Sequence, residues 1–365
     1  MASLASRPLD FAISTDMPGA SFKPPLPALT PHQSELTLAL RRDVQKLAAE
    51  IGERNVYRPV AYAKAAAWLA EELGGIAVAT GNPQGVMHQE FTVKVPGPTE
   101  PSTPAPVSPA RCVNLWLDLP TRDPAGPSAL EAVVVGSHYD SVEGCPGAND
   151  NATGIAAVLA IGRAIAALPP HQRPARTVRL ACFANEEPPW FWTRDMGSLV
   201  LAEQFAREQA RSGPRIVAML TPETIGCYSD EPGSQLWPAV VAPVLRKRFG
   251  NVGDFIAFVG LGRSSLELTR QVTRAFRSNA SFPSLGAVLP NTVVGAGASD
   301  HWSFWKQGVP SLMITDTAPF RYKCYHTNDD RPDKPGERDA SRRIDFERCA
   351  RVVEGLVAVV RDVGG

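Results

Sequence analysis

Residues 132–154 read AVVVGSHYDSVEGCPGANDNATG, and their interpretation decides the fold. Ala132–Val135 is a β-branched run of strand length, too short for a helix. It breaks at Gly136 into a polar segment that carries His138, Asp140 and Asp150. His138 and Asp140 are two apart, so on a strand end they share a face. This spacing suits an imidazole that ligates a metal while a carboxylate holds its other ring nitrogen. Asp150 lies between two asparagines, just before Thr153-Gly154 opens an alanine-rich helix, and a carboxylate in such a loop can bridge two ions. An HxD alone is common in surface loops. The recurrence of acids and histidines at the ends of later apolar runs makes the difference.

Three such runs follow, with one further cluster at Ser299-Asp300-His301. Arg176–Asn185 is a strand ending in Glu186-Glu187, adjacent carboxylates that point different ways, one toward a metal and one toward the water beside it. Arg215–Leu220 leads to Glu223. Ser299-Asp300-His301 precedes an aromatic stretch, and Val309–Thr315 leads to Asp316 and on to Tyr325-His326 with Asp329 and Asp330. Three of the six histidines fall in these clusters. Between them, helices are expected over Glu35–Ile51, Ala61–Leu73 (ending at Gly74-Gly75), Thr153–Leu168, Met196–Arg211, Ser264–Arg277 and Asp345–Val363. Strands are expected over Gly85–Lys94, Arg111–Leu119 and Phe255–Val259. Alternating strands and helices with continuous apolar runs predict an α/β/α sandwich around a mixed, mostly parallel sheet. In such sheets ligands collect beyond the carboxyl ends of the strands, where every acidic cluster falls.

Composition sets outer limits. With 365 residues the chain can bury a large core, and 37 basic residues balance 37 acidic ones. No basic block points to nucleic acid, and no apolar run is long enough for a membrane span. The start lacks a basic segment followed by an apolar one, so no signal peptide is expected; the cytoplasm is the default compartment, with export left open. Six cysteines without a CxxC pair do not form a disulfide framework, although Cys227 and Cys324 would be close if both flank the site. Residues 1–30 read as an extended proline-containing arm, 31–365 as one catalytic domain, and 227–262 as a possible insertion.

The ordered motifs HYD, GANDNATG, NEE, PETIG, SDHWSFW and YHTNDD resemble those of the zinc-dependent aminopeptidases with the zinc exopeptidase fold, a family that also holds glutaminyl cyclases and transferrin-receptor-like proteins. The resemblance implies two co-catalytic Zn2+ bridged by Asp150, one completed by His138 and Glu223, the other by Glu187 and His326. It makes Glu186 the general base, Tyr325 a group that polarises the scissile carbonyl, and Asp140 the partner of His138. Ser299 and Asp300 would form the wall near His326, and His301 is not a ligand. The implied activity is that of a metallopeptidase, an exopeptidase removing N-terminal residues from peptides with a free amino terminus. Two other activities belong to the same fold: a mono-zinc glutaminyl cyclase and a non-catalytic binding module. The sequence departs from the family pattern at Glu223, where an aspartate is usual, and after Glu187, where PPWFW replaces a glycine-leucine turn. With Tyr228, Trp302, Phe304 and Trp305, that segment is expected to form an aromatic rim favouring apolar N-terminal residues.

Overall fold

The computed structural model describes residues 13–96, 107–334 and 336–365. The first twelve residues of the expected arm and residues 97–106, between the strands expected over Gly85–Lys94 and Arg111–Leu119, lie outside these. The described residues form an eight-stranded sheet: β1 (Met87–Pro96), β2 (Val107–Leu119), β3 (Glu131–His138), β4 (Thr177–Phe183), β5 (Arg215–Glu223), β6 (Ile256–Leu261), β7 (Ser284–Leu289) and β8 (Ser311–Thr315). Their order is β1-β2-β4-β3-β5-β8-β6-β7. The four central strands β4, β3, β5 and β8 are mutually parallel, while β1–β2, β2–β4 and β6–β8 pair antiparallel.

Both faces of the sheet are covered, which explains the unbroken apolar runs. Val133 and Val135 of β3 face a core shared with helices α1 (Pro31–Gln45), α2 (Pro59–Thr80), α3 (Thr153–Ala166), α6 (Leu266–Asn279) and α8 (Phe346–Gly364). Ala132 and Val134, one step out of phase, face α4 (Gly197–Gln209) and α7 (His301–Lys306) through Leu201, Phe205 and Phe304. On this second face α5 (Ala242–Phe249) covers β6 and β7 through Leu245. The last residues of the expected insertion are β6, an interior strand of the sheet. No helix of the described residues is long and apolar enough to cross a membrane.

The structure differs from expectation in two places. Helix α2 runs through Gly74-Gly75 to Thr80 and ends at Gly81 in the left-handed region. Each internal glycine costs about 1 kcal/mol, but Ile76 and Ala77 beyond them are buried in the core, which offsets it. Strand β7 and helix α7 occupy a stretch with no expected element. In the segment before α1, Ser14 exchanges two backbone hydrogen bonds with Val288. This covers part of the outer edge of β7, where an open strand would invite pairing with another chain.

Strand β3 sends the chain toward β4, whereas β5 sends it to the other side of the sheet, beyond β8. Their outgoing loops therefore part, leaving a crevice beyond the carboxyl ends of the central strands.

Candidate metal centre

Four adjacent parallel strands deliver the side chains to this crevice. His138 ends β3, Glu223 ends β5, Glu186 and Glu187 follow β4, and His326 lies in the segment after β8. Asp150 comes from the loop between β3 and α3, where its peptide bond to Asn151 is cis. His138 Nε2 is 3.3 Å from Asp150 Oδ1 and 3.2 Å from Glu223 Oε2. His326 Nε2 is 3.0 Å from Asp150 Oδ2 and 3.3 Å from Glu187 Oε2. The two oxygens of Asp150 are thus divided between the two imidazoles, and the residues form two three-sided groups joined at one carboxylate. All five residues expected as ligands are brought together, Glu223 included.

The donor set fits a divalent cation. The buried Nε2 of His326 makes no hydrogen bond, although two carboxylate oxygens lie close to it. In each group one nitrogen and two carboxylate oxygens lie within 4.8 Å of one another. Electrostatics agree. Burial alone would lower the His326 pKa, but Asp150 and Glu187 overcome this and push it up to about 10. Burial likewise opposes the charged form of His138, and Glu186 and Glu223 hold it well above the usual imidazole range. Burial raises Glu187 to about 7, with Asp150 adding to the effect. A crowd of buried carboxylates that forces protons onto two histidines is a place where a dication replaces those protons.

Glu186 stands 3.8 Å from His138 Nε2, farther than the other carboxylates. Burial raises its pKa well above the carboxylate range; His138 pulls it down, and Glu187, Asp300 and Glu223 push it further up. Asp140 Oδ1 is 3.5 Å from His138 Nδ1, which makes no hydrogen bond. Its closer partners are the backbone N–H groups of Glu186 and Glu187, at 3.0 and 3.1 Å. Asp140 therefore ties the loop after β4 to the loop after β3. Ser299 Oγ donates to Glu223 Oε2 at 2.7 Å, which places it beside Glu223 rather than near His326. His301 is buried with its Nε2 on the Ala296 carbonyl, away from the cluster. The Tyr325 ring stacks on His326 at 3.9 Å between centroids.

Asn185, Thr224 and His326 all have positive φ (58°, 46° and 55°), in or next to the cluster. Non-glycine residues are held there only when their surroundings demand it, which is usual at functional sites.

One residue acquires a role that its motif did not disclose. Asp330 is fully buried and accepts the backbone N–H groups of Asn149 and Asp150 and the Tyr322 hydroxyl. It holds the backbone of the shared aspartate. Its neighbour Asp329 is exposed and pairs with Arg342. Two consecutive acids look alike in sequence, and only their burial separates them. The six cysteines are all free; Cys227 and Cys324 share one buried cluster without being bonded.

Fold and site define a class: an α/β/α protein with a shared-carboxylate cluster suited to divalent metal. The sequence model of Peptidase family M28 matches residues 114–347, and the chain belongs to that family. An uncharacterized Escherichia coli (strain K12) protein, YfbL, is 34% identical over 244 residues, 64% of this chain and 68% of its own length. Among solved structures, LapB from Legionella pneumophila superposes with a TM-score of 0.61 at 16% identity, covering 95% of this chain and 78% of LapB. A Bacillus subtilis zinc aminopeptidase gives 0.61 at 14%, covering 90% and 95%. A Fimbriiglobus ruber glutaminyl cyclase gives 0.58 at 17%, covering 93% and 98%. At these identities the likeness is one of fold.

Proposed function

We propose that residues 31–365 form a zinc-dependent aminopeptidase with two ions, one held by His138, Asp150 and Glu223 and the other by Asp150, Glu187 and His326. The observation that carries this reading is the division of the Asp150 oxygens between the two imidazoles. The zinc named for the Bacillus neighbour and the mixed nitrogen–oxygen donor set support the choice of metal. When bound, the ions supply Lewis acidity toward a peptide carbonyl and toward water.

The chain's own groups do the rest. Glu186, its proton affinity raised by burial, accepts the proton of the attacking water and returns it to the leaving amine. Burial and the nearby Asp150 and Glu187 carboxylates hold the Tyr325 phenol well above its ordinary pKa, so it stays protonated. It can then donate a hydrogen bond to the carbonyl oxygen as negative charge develops.

A cavity lined by Trp237, Ala257, Val259, Leu285, Ala287 and Met313 reaches Glu223 and Tyr325. It supports preference for an apolar first residue on grounds other than the expected aromatic rim. Of that rim, Tyr228 and Phe304 are buried in other packing, against Phe282 and Phe183, and Trp302 is also buried; Trp192 is half exposed. Ala257→Leu should narrow the cavity and lower kcat/KM for a leucyl substrate about tenfold, while an alanyl substrate is nearly unaffected. Equal losses on both substrates would detach the cavity from substrate choice. The reading as a whole is tested by metal analysis of purified protein together with a panel of aminoacyl substrates. Two zinc ions with turnover of free-amine substrates are expected; a single zinc with cyclisation of N-terminal glutamine would favour the cyclase instead.

A further inference from the structure

Residues 53–55, Glu-Arg-Asn, lie between the wide helical turn that continues α1 to Ile51 and the start of α2. All three bond the loop that runs from His138 to Asp150. Arg54 is completely buried. Its Nε donates to the Tyr139 carbonyl at 2.5 Å, Nη1 to that of Pro146, and Nη2 to that of Gly147 at 2.8 Å. Longer bonds reach the Gly52 and Leu47 carbonyls at the end of the preceding helix. The Arg54 amide donates to Ser141 Oγ at 3.1 Å, and its carbonyl accepts from Ser141 N at 3.0 Å. Glu53 Oε1 accepts from Gly144 N at 2.9 Å, and Asn55 Nδ2 donates to the Ser141 carbonyl at 3.0 Å.

This is an unusual use of a buried guanidinium, which ordinarily forks onto a carboxylate. Here its hydrogen bonds all go to carbonyl oxygens. Burial lowers its proton affinity, and the surrounding Asp140, Asp330 and Asp150 carboxylates partly restore it. The charge thus serves the carboxylate cluster while the donors shape the loop. Gly147 marks how tightly the loop is packed. It has φ +63°, and an added Cβ would stand 2.4 Å from the Asp150 carbonyl oxygen and 3.2 Å from Arg54 Nη2. Residues 53–55 also lie outside the span matched by the family model.

We infer that Arg54, with Glu53 and Asn55, is a positioning clip that sets the metal affinity of the centre by fixing the loop between His138 and Asp150. The inference rests on the metal-centre reading above and concerns binding rather than turnover. Zinc affinity of the full chain, measured by chelator competition, tests it, with the visible spectrum of the Co2+-loaded protein as a second readout. Arg54→Lys keeps the charge but cannot span the same carbonyls. It should weaken zinc binding about 10- to 100-fold, the usual range for loss of an outer partner, and alter the cobalt bands. Phe205→Leu, in the core on the opposite face of the sheet, serves as a control of reduced stability and should keep both wild-type affinity and spectrum. If Arg54→Lys does not fold, Asn55→Ala should show a weakening of at least about threefold. Wild-type affinity and spectrum in the folded clip variant, or equal loss in the control at matched melting temperature, would overturn the clip. If the unaltered chain binds no zinc, the metal-centre reading falls and the clip with it; two zinc ions bound equally well by clip variants remove the clip alone.

Discussion

Glu186→Gln is expected to retain both metal ions and to lose turnover by about a thousandfold, within the range that general acid–base groups contribute. The substitution preserves size and removes the only function assigned to this side chain, the acceptance and return of a proton. The structure makes the separation of binding from turnover meaningful. Glu186 lies near enough to His138 and Glu187 to be a ligand itself, forming a third possible group with them. Yet it stands farther from the His138 nitrogen than Asp150 and Glu223 do. Metal content and kcat measured on the same preparation distinguish the two roles. Loss of zinc along with activity would make Glu186 a ligand. Full activity with zinc retained would leave the reaction without its assigned base.

Asp150→Asn should have the larger effect on metal. Because each imidazole faces its own oxygen of this one carboxylate, the change removes an anionic donor from both groups at once. Zinc affinity should fall by more than about 100-fold, beyond the usual loss for an outer partner. The signature is visible without any substrate. A ligand bound at a thousand times its Kd stabilises a fold by about 4 kcal/mol, so zinc should raise the melting temperature of the unaltered chain by several degrees. In the Asp150→Asn variant that rise should vanish. Glu187→Gln or Glu223→Gln, each touching one group, should leave part of it. A variant at this position with an undiminished zinc-dependent rise would show that the two groups do not share the carboxylate.

Much of the fold and of the cluster is legible in the sequence. Strands buried on both faces favour apolar residues on both, so β3 and β5 appear as nearly continuous runs, as does β4 apart from Arg179, and the acids stand where those runs stop. That regularity, with the order of the motifs, located His138, Asp150, Glu187, Glu223 and His326 and the class of fold. Reading was weaker wherever local pattern and tertiary environment pull apart. Helix α2 passes two glycines because Ile76 and Ala77 have a core to enter. Strand β7, six residues at the sheet edge and interrupted by Gly286, has too little pattern of its own to be recognised.

The hydrogen-bonding groups around the cluster were out of reach for a different reason. Asp330 on the Asp150 backbone, Asp140 on two amides after β4, and Arg54 on the carbonyls before Asp150 join residues from 46 to 180 positions apart. Periodicity reports only which side chains are apolar along one element. It carries no information about which distant backbone groups need a partner. The sequence alone determined the sandwich, the family and the five side chains proposed as ligands. The tertiary structure decided that the two oxygens of Asp150 face different imidazoles and that an apolar cavity adjoins Glu223. It also decided that the segment between the N-terminal helices reaches into the site. Those depend on through-space contacts that exist only once the strands lie side by side.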